Sequence, residues 1–512
     1  MPVLIAVFFL VTVPALSFFL RETFAVSFPH RGLILSVLVS WVVLATSRTW
    51  YADQLLTIQY GSASIPLTNL GLKFDWVSWS FSTAVITILL VYTLTKGRAS
   101  VSTAGLMAVS GVGIVSLFSA NNMTFLLSWI LFDVIWLTAA FQDSTSPLRR
   151  KETMTPYLVL LAGPIFLLTG SFLSLPGAEL LVPGRGEQLP SFFLGAAGFC
   201  RLAILYFAPR SSLGQEGSSG TWWLLSLGPI SLGLLLITRS AQLAGYFPPA
   251  GLKVIFSLMI LVTGLTAFII KDKHIFRKWW TLGVFFSALQ GVIFQQPELS
   301  AAWGIAYLVP GSLLYLTDRR GGGSRFPLAA AAVGFLGLPY TPLSINGLIS
   351  AAQGSGWLAG LSAGVLAAAF LKQLLADSPE SRKLTGGDAL FTGAVSFSLI
   401  GIQYLLTILG MRSGSILSWK GELILFLPGV CAVGLVWLTS RTGFNFQPVI
   451  DFFDTAVGVL EFLNRVIQFW MRLLNWIVRM VTDLLEGRGG LIWALLGAIL
   501  LFSLLIAQGG NP

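Results

Sequence analysis

The chain has 512 residues, of which 55% are apolar and only 10% are charged, whereas about a quarter of the residues in soluble domains carry a charge. The net charge is +10, but the basic residues cluster in short loops between apolar runs, which is typical of membrane topology. This composition excludes a soluble enzyme, a disordered chain and a nucleic-acid-binding protein, and it predicts a polytopic membrane protein.

Apolar runs that are long enough to cross a bilayer recur along the chain. A membrane-spanning helix needs about 20 residues, and continuously apolar runs favour helices over the alternating pattern of a β-barrel. We therefore predict an all-α polytopic membrane protein with about 14–16 transmembrane helices. The candidate spans, about sixteen in number, lie at 2–20, 32–47, 74–95, 100–119, 123–141, 156–175, 190–208, 222–238, 252–270, 279–296, 299–317, 327–350, 357–376, 389–411, 421–440 and 490–507.

The loops that follow odd-numbered spans hold most of the basic residues. By count, the split between odd and even loops is roughly 18 to 7, so the odd loops are expected on the cytoplasmic side. The sequence thus predicts a multi-pass protein of the cell (inner) membrane with its N-terminus outside. The most basic of these loops lie at 149–151, 271–278, 319–325 and 382–383.

Prolines within two candidate spans predict interrupted helices. Pro339 and Pro342 lie inside the span 327–350, and Pro229 follows Gly228 inside the span 222–238. Proline removes a backbone donor and clashes with the preceding turn. Broken membrane helices are tolerated beside protein or a water-filled cavity, so we expect these breaks to line a polar interior. The alternative is a kink that serves only packing.

Polar residues lie along one face of the segment 451–486. Their spacing alternates between three and four, which places them on one side of a helix. We predict a lateral amphipathic helix on the cytoplasmic side, braced against a partner or the protein's own bundle, followed by an anchor helix; a loose interfacial helix is the alternative. The residues are Asp451, Asp454, Glu461, Arg465, Gln468, Arg472, Asn475, Arg479 and Glu486.

Few charged residues fall inside the candidate spans, and such residues are costly and therefore candidates for function. Asp133 lies deep in the fifth span, Arg201 midway in the seventh, Lys372 near the end of the thirteenth and Asp75 at the start of the third. Asp133 and Arg201 are expected to pair, since each would otherwise be a lone charge in a low dielectric. A purely structural ion pair is the alternative.

Metal and cofactor sites are not predicted. His30 and His274 have no second ligand at metal spacing, and Cys200 and Cys431 stand alone in apolar segments. The sequence contains no nucleophile elbow, phosphate-binding glycine loop or pair of carboxylates. We therefore expect no metal, no cofactor and no catalytic site in this chain.

Four segments between about 70 and 460 carry a recognisable series of motifs. They are Phe74-Asp75-Trp76-Val77-Ser78, Asn122 to Asp133, Gly198-Phe199-Cys200-Arg201, and Phe326-Pro327-Leu328 followed by Gly337-Leu338-Pro339. In this order they resemble the D-G-L-S, N-L-L-x-F…W-E, G-F-x-x-K and M-P…G-L-P-P-x-x-G-F motifs of the antiporter-like membrane subunits of respiratory complex I, Mrp-type antiporters and membrane-bound hydrogenases. The fourth match is the most specific.

This resemblance implies two inverted five-helix repeats with broken helices. The implied divisions are N-terminal helices over 1–120, repeats over 121–272 and 273–440, and the lateral and anchor helices over 441–512. It further implies a non-catalytic subunit of a translocase similar to NADH- or ferredoxin:quinone oxidoreductases, which takes part in proton or sodium translocation coupled to a redox or uptake module. The implied partners are other membrane subunits, the lipid bilayer and quinone-reducing or other redox subunits.

The ion pathway implied by the resemblance comprises Asp133, Arg201, Lys372, Ser231 and Asn346. The sequence departs from the family at most of them. Asp133 replaces a glutamate, Arg201 a lysine and Ser231 a lysine, while the position where a lysine or glutamate is usual falls at Asn346 or Gly347. Arginine keeps its proton up to about pH 12. The set of proton-carrying residues that the resemblance implies is therefore incomplete in this sequence. Two alternatives stay open: a degenerate subunit that serves as a scaffold, and a stand-alone lipid or solute transporter.

Overall fold

A computed structural model describes most of the first three quarters of the chain. All of the described residues belong to the unit Met1–Gly443; the lateral and anchor helices predicted for the second unit, Phe444–Pro512, lie outside them. The described residues are 2–24, 30–50, 54–59, 69–95, 101–142, 147–173, 188–202, 204, 219–243, 250–270, 272–312, 356–376, 401 and 434–436.

Twelve α-helices, one π-helical turn and two strands are the main elements of the described part. The strands are β1 (Gln54–Gln59) and β2 (Asn69–Phe74). The helices are α1 (Pro2–Phe24), α2 (His30–Trp50), α3 (Trp76–Thr95), α4 (Val101–Phe118), α5 (Asn122–Gln142), α6 (Pro147–Leu173), α7 (Gln188–Leu202), α8 (Ser219–Leu243), α9 (Ala250–Ile269), α10 (Lys273–Ile293), α11 (Pro297–Ala306) and α12 (Gly356–Ala376).

The helices confirm the predicted all-α membrane architecture. Each described helix overlaps a candidate span, although some ends differ: α6 begins nine residues before its span and α11 ends eleven residues before the end of its span. Five of the described helices are long and apolar enough to cross a membrane. The spans predicted at 327–350, 389–411, 421–440 and 490–507 fall wholly or largely outside the described residues, as do the breaks predicted at Pro339 and Pro342.

A β-hairpin between α2 and α3 was not predicted. The strands pair antiparallel, from Gln54 opposite Phe74 to Gln59 opposite Asn69. The hairpin is held at the junction of α4 and α5, where the Ala120 N–H donates to the Gly71 carbonyl oxygen at 2.8 Å and the Gly71 N–H donates to Thr124 Oγ1 at 2.9 Å. These bonds satisfy backbone groups that would otherwise be buried without partners.

Helix α3 lies at the centre of this bundle. It packs against α2, α4, α8 and α11, and nearly all of its residues are buried. Many of them are small hydroxyl residues such as Ser78, Ser82 and Thr87, which let neighbouring helices approach closely in a membrane.

Helix α11 passes directly into a π-helical turn, Tyr307–Gly311. Pro310 has no N–H to donate to the carbonyl four residues earlier, and at the end of the turn the Ser312 N–H reaches back five residues to the Tyr307 carbonyl oxygen. The proline thus widens this helix locally without ending it.

Candidate functional site

A carboxylate and a guanidinium form a two-point ion pair inside the bundle. Arg201 Nη1 lies 2.5 Å from Asp133 Oδ1, and Nη2 lies 2.8 Å from Oδ2. Their side chains are 0% and 3% exposed, respectively. This fork-like geometry, in which two parallel N–H groups donate to one carboxylate, is the strongest form of such a pair. The pairing predicted from the sequence is therefore present.

The sequence of α5 explains how an acid is accommodated in a membrane helix. Trp129, Phe132, Asp133 and Trp136 follow the spacing of one helical face and are all buried. The opposite face is aliphatic and exposed: Leu127, Ile130, Leu131 and Val134 are about half exposed. Helix α5 thus turns its acid inward and its aliphatic side outward, as expected for a helix that borders lipid or a partner subunit.

Aromatic rings cover the guanidinium. The Arg201 Cζ atom lies 4.1 Å from the ring centroid of Trp129 and 5.6 Å from that of Phe132. Trp129 precedes Asp133 by four residues, so one helix face supplies both the carboxylate and the ring. Gly163 on α6 makes room for this ring, because a Cβ atom there would lie 2.6 Å from Trp129 Cζ2.

Two N–H groups beside the ion pair have no hydrogen-bond acceptor among the described residues. They are Arg201 Nε and Trp129 Nε1, and both atoms are buried. Buried donors of this kind are commonly satisfied by ordered water. These two donors are therefore available to a small hydrogen-bond acceptor such as water.

Helix α8 corrects one prediction. It is not broken at Pro229, which lies inside a continuous helix. Pro229 cannot donate to the Leu225 carbonyl oxygen, and Trp136 Nε1 from α5 donates to this oxygen instead, at 2.8 Å. Because the Trp136 indole supplies the hydrogen bond that residue 229 cannot, the helix continues through Pro229 without a break. Ser231, which stands where a lysine was expected, donates its hydroxyl to the Gly228 carbonyl oxygen at 2.8 Å and is buried.

Lys372 is placed at the end of another helix. Its Nζ donates to the Phe268 carbonyl oxygen of α9 at 2.5 Å and lies 4.5 Å from the centroid of the Phe268 ring. Helix α12, which carries Lys372, packs on α9 and α10. A lysine at the C-terminal end of a helix compensates its dipole, so this contact is one that a structural lysine makes. Asn346 lies outside the described residues.

A second buried ion pair was missed. Arg239 Nη2 donates to Asp75 Oδ2 and also to Ser78 Oγ, the latter at 3.3 Å. The sequence analysis singles out Asp75, but it ends the eighth candidate span at residue 238 and so leaves Arg239 just outside that span, whereas α8 extends to Leu243. The need of Asp75 for a buried cation was the signal that would have found Arg239.

Among the described residues, no group of three or more histidine, cysteine, aspartate or glutamate side chains is arranged to hold a metal ion. The fold and the paired charges define the class: a multi-pass helical membrane protein with an acid–guanidinium pair in its interior.

Known structures share this fold. The chain is similar to a chain of the Mrp complex from Dietzia sp. DQ12-45-1b, with 14% identity and a TM-score of 0.63 over 100% of this chain and 63% of that one. The chain therefore spans less than two thirds of the length of that Mrp chain. It is also similar to a chain of respiratory complex I from Thermus thermophilus, with 16% identity and a TM-score of 0.56 over 85% of this chain and 100% of that one.

A chain of the membrane-bound sulfane sulfur reductase, described as an archaeal respiratory membrane complex, aligns at 12% identity and a TM-score of 0.50 over 99% of this chain and 100% of that one. No family model matches the sequence, and no curated protein is recognisably similar to it. The resemblance inferred from the motifs is confirmed at the level of the fold.

Proposed function

We propose that this chain is an antiporter-like subunit of a multisubunit membrane complex and that its Asp133–Arg201 pair lies on a route for protons or sodium ions. The observation that carries the proposal is the position of the pair: Asp133 lies in the middle of α5, Arg201 lies in the last turn of α7, and both side chains are buried, at a desolvation cost that an apolar pair of similar volume would avoid.

The immediate surroundings support a role in ion movement. The unpartnered N–H groups of Arg201 and Trp129 provide donors for water next to the carboxylate. Within the pair, only Asp133 can exchange a proton, because arginine keeps its proton throughout the physiological range. A proton or cation that reaches Asp133 competes directly with the guanidinium, so occupancy of the carboxylate and opening of the pair are one event.

The decisive experiment removes the charge of Asp133 and keeps its shape. The intact complex is purified through a tag on this chain and reconstituted in proteoliposomes, and proton flux driven by an imposed sodium gradient or membrane potential is followed with a pH-sensitive dye. We expect Asp133→Asn to abolish the flux that depends on this chain at normal complex yield, and Asp133→Glu to retain it. Undiminished flux with Asp133→Asn would refute the proposal.

A scaffold function is the second candidate, and a specific observation favours it. Both terminal nitrogens of Arg201 are occupied by Asp133, and Ser231 is closed onto its own helix. If the pair only holds helices together, Arg201→Ala will lower complex yield more than flux. In that case the charge-exchanged variant, Asp133→Arg with Arg201→Asp, will restore the yield, and flux will be independent of position 133.

A further inference from the structure

The second ion pair joins helix α8 to the start of α3. Asp75 and Arg239 are 5% and 4% exposed. One carboxylate oxygen of Asp75 accepts from Arg239, while the other accepts the Ser78 N–H at 2.9 Å and so caps α3. Since both charges are buried and bonded at fixed positions, the pair specifies where α8 stands relative to α3.

Helix α8 is also pressed against α7, at the residues next to Arg201. A Cβ atom at Gly233 would lie 2.8 Å from the Gly198 carbonyl oxygen and 2.8 Å from Arg201 Cβ. A Cβ atom at Gly198 would lie 2.7 Å from the Gly233 carbonyl oxygen. The backbones of the two helices therefore touch here, and the stem of Arg201 rests directly on α8.

Two consecutive residues of α8, Arg239 and Ser240, bond to α3 and to α7, respectively. Arg239 points to Asp75 on the α3 side. Ser240 points to α7, where its hydroxyl donates to the Ser191 carbonyl oxygen at 2.7 Å and the Ser191 hydroxyl donates to the Ser240 carbonyl oxygen at 2.9 Å. This stretch of α8 thus ties α3 to α7, the helix that carries Arg201.

We infer that Asp75 and Arg239 are positioning residues for the Asp133–Arg201 site: their ion pair fixes α8, and the contact of α8 with α7 at Gly198 and Gly233 sets the place of the Arg201 guanidinium. Neither residue touches Asp133 in this arrangement; they act through the helix. The inference rests on the proposed function only in regarding the Asp133–Arg201 pair as the site.

The test uses Cys200, the neighbour of Arg201 on α7, as a reporter. Cys200 is half-buried, and Cys431 is the other cysteine of the chain, so a Cys431→Ser background isolates it. The rate at which N-ethylmaleimide labels Cys200 is measured in the purified complex. We expect Arg239→Met and Asp75→Asn each to raise this rate several-fold, and Arg239→Lys to raise it less.

Two glycine variants calibrate the measurement. Gly233→Ala, which forces α8 away from Arg201, is expected to raise the labelling rate. Gly251→Ala, at a position in α9 where a methyl group meets nothing within 4 Å, is expected to leave it unchanged. Should Arg239→Met fail to assemble, Asp75→Asn tests the same link, because asparagine also caps helices.

The inference is overturned if labelling is unchanged in Asp75→Asn and Arg239→Met, or if Gly233→Ala leaves it unchanged. Labelling does not depend on ion flux, so the two proposals fail separately. If Asp133→Asn leaves the flux undiminished, the proposed function is refuted, whereas the inference that Asp75 and Arg239 position the site is not affected.

Discussion

Arginine at position 201 limits the chemistry of the buried pair. A lysine in a dry environment can lose its proton, because desolvation disfavours the ammonium ion, whereas a guanidinium stays charged. Arginine in turn provides two parallel donors for one carboxylate. Arg201 therefore fixes the geometry of the ion pair but cannot release a proton. Within the pair, only the charge of Asp133 can change.

The Trp129 ring should contribute to the stability of this pair through its contact with the guanidinium. Trp129→Leu is expected to destabilise the chain more in its native background than in the double variant Asp133→Leu with Arg201→Met, by about 2 kcal/mol for a desolvated cation–π contact. The measurement is the unfolding free energy in mixed micelles titrated with dodecyl sulfate. Equal losses in the two backgrounds would show that the ring contributes packing alone.

At the residue scale, the sequence predicted the Asp133–Arg201 pair because both charges lie deep inside apolar runs and have few possible partners. It did not predict the role of Arg239, because a charge at the end of an apolar run resembles the basic end of a loop. The pathway role of Lys372 rests on its position in a span and stays a prediction; in the structure this half-buried lysine reaches a carbonyl at a neighbouring helix end.

Helix α8 shows why a proline need not break a membrane helix. The proline frees a single carbonyl, and one donor from a neighbouring helix is enough to satisfy it. In α8 this donor is the Trp136 indole, which stands one turn after Asp133 on the inward face of α5. A break was expected from the local sequence alone, and the donor that prevents it comes from 89 residues away.

The bond between Trp136 and Leu225 should matter only while Pro229 is present. Trp136→Phe leaves the Leu225 carbonyl without a donor and is expected to cost about 1–2 kcal/mol beyond its packing effect. In a Pro229→Ala background the alanine N–H can donate to Leu225, so this additional cost should disappear. Unfolding free energies of the four proteins in such a cycle measure the difference.

The outcome that would contradict this account is an additive cycle, in which Trp136→Phe costs the same with proline or alanine at position 229. A suitable control is Trp79→Phe. The Trp79 indole also donates to a backbone carbonyl, that of Leu44 at 2.8 Å, but this bond has no relation to position 229, so its cost should be equal in both backgrounds.

At the scale of the whole molecule, hydropathy predicted the described helices because backbone groups in lipid must pair within each segment, but it did not predict where several of them begin and end. The β-hairpin escaped prediction because it lies outside the lipid-crossing runs, where this constraint is weaker. Its strands are held by bonds to the α4–α5 junction, which is distant in sequence and carries no local signal.

The distribution of basic loops predicts opposite sides for two described segments. Leu55 in β1 is 59% exposed and follows the second span, so it is expected outside; Asp272, which is exposed before α10, follows the ninth and is expected inside. In a chain with Cys200 and Cys431 replaced by serine, a membrane-impermeant maleimide should label Leu55→Cys only from the outer side and Asp272→Cys only from the inner side. Labelling of both from one side would overturn the orientation.

The contact between Gly233 and the Arg201 stem restricts how position 201 can diverge. Because Arg201 Cβ would lie 2.8 Å from a Cβ atom at Gly233, a side chain branched at its β-carbon is expected to fit less well at position 201 than an unbranched one. Unbranched stems such as those of lysine, glutamine and methionine still fit. We therefore expect unbranched residues to be tolerated best at position 201, among them lysine, which would place an ionisable amine at this site.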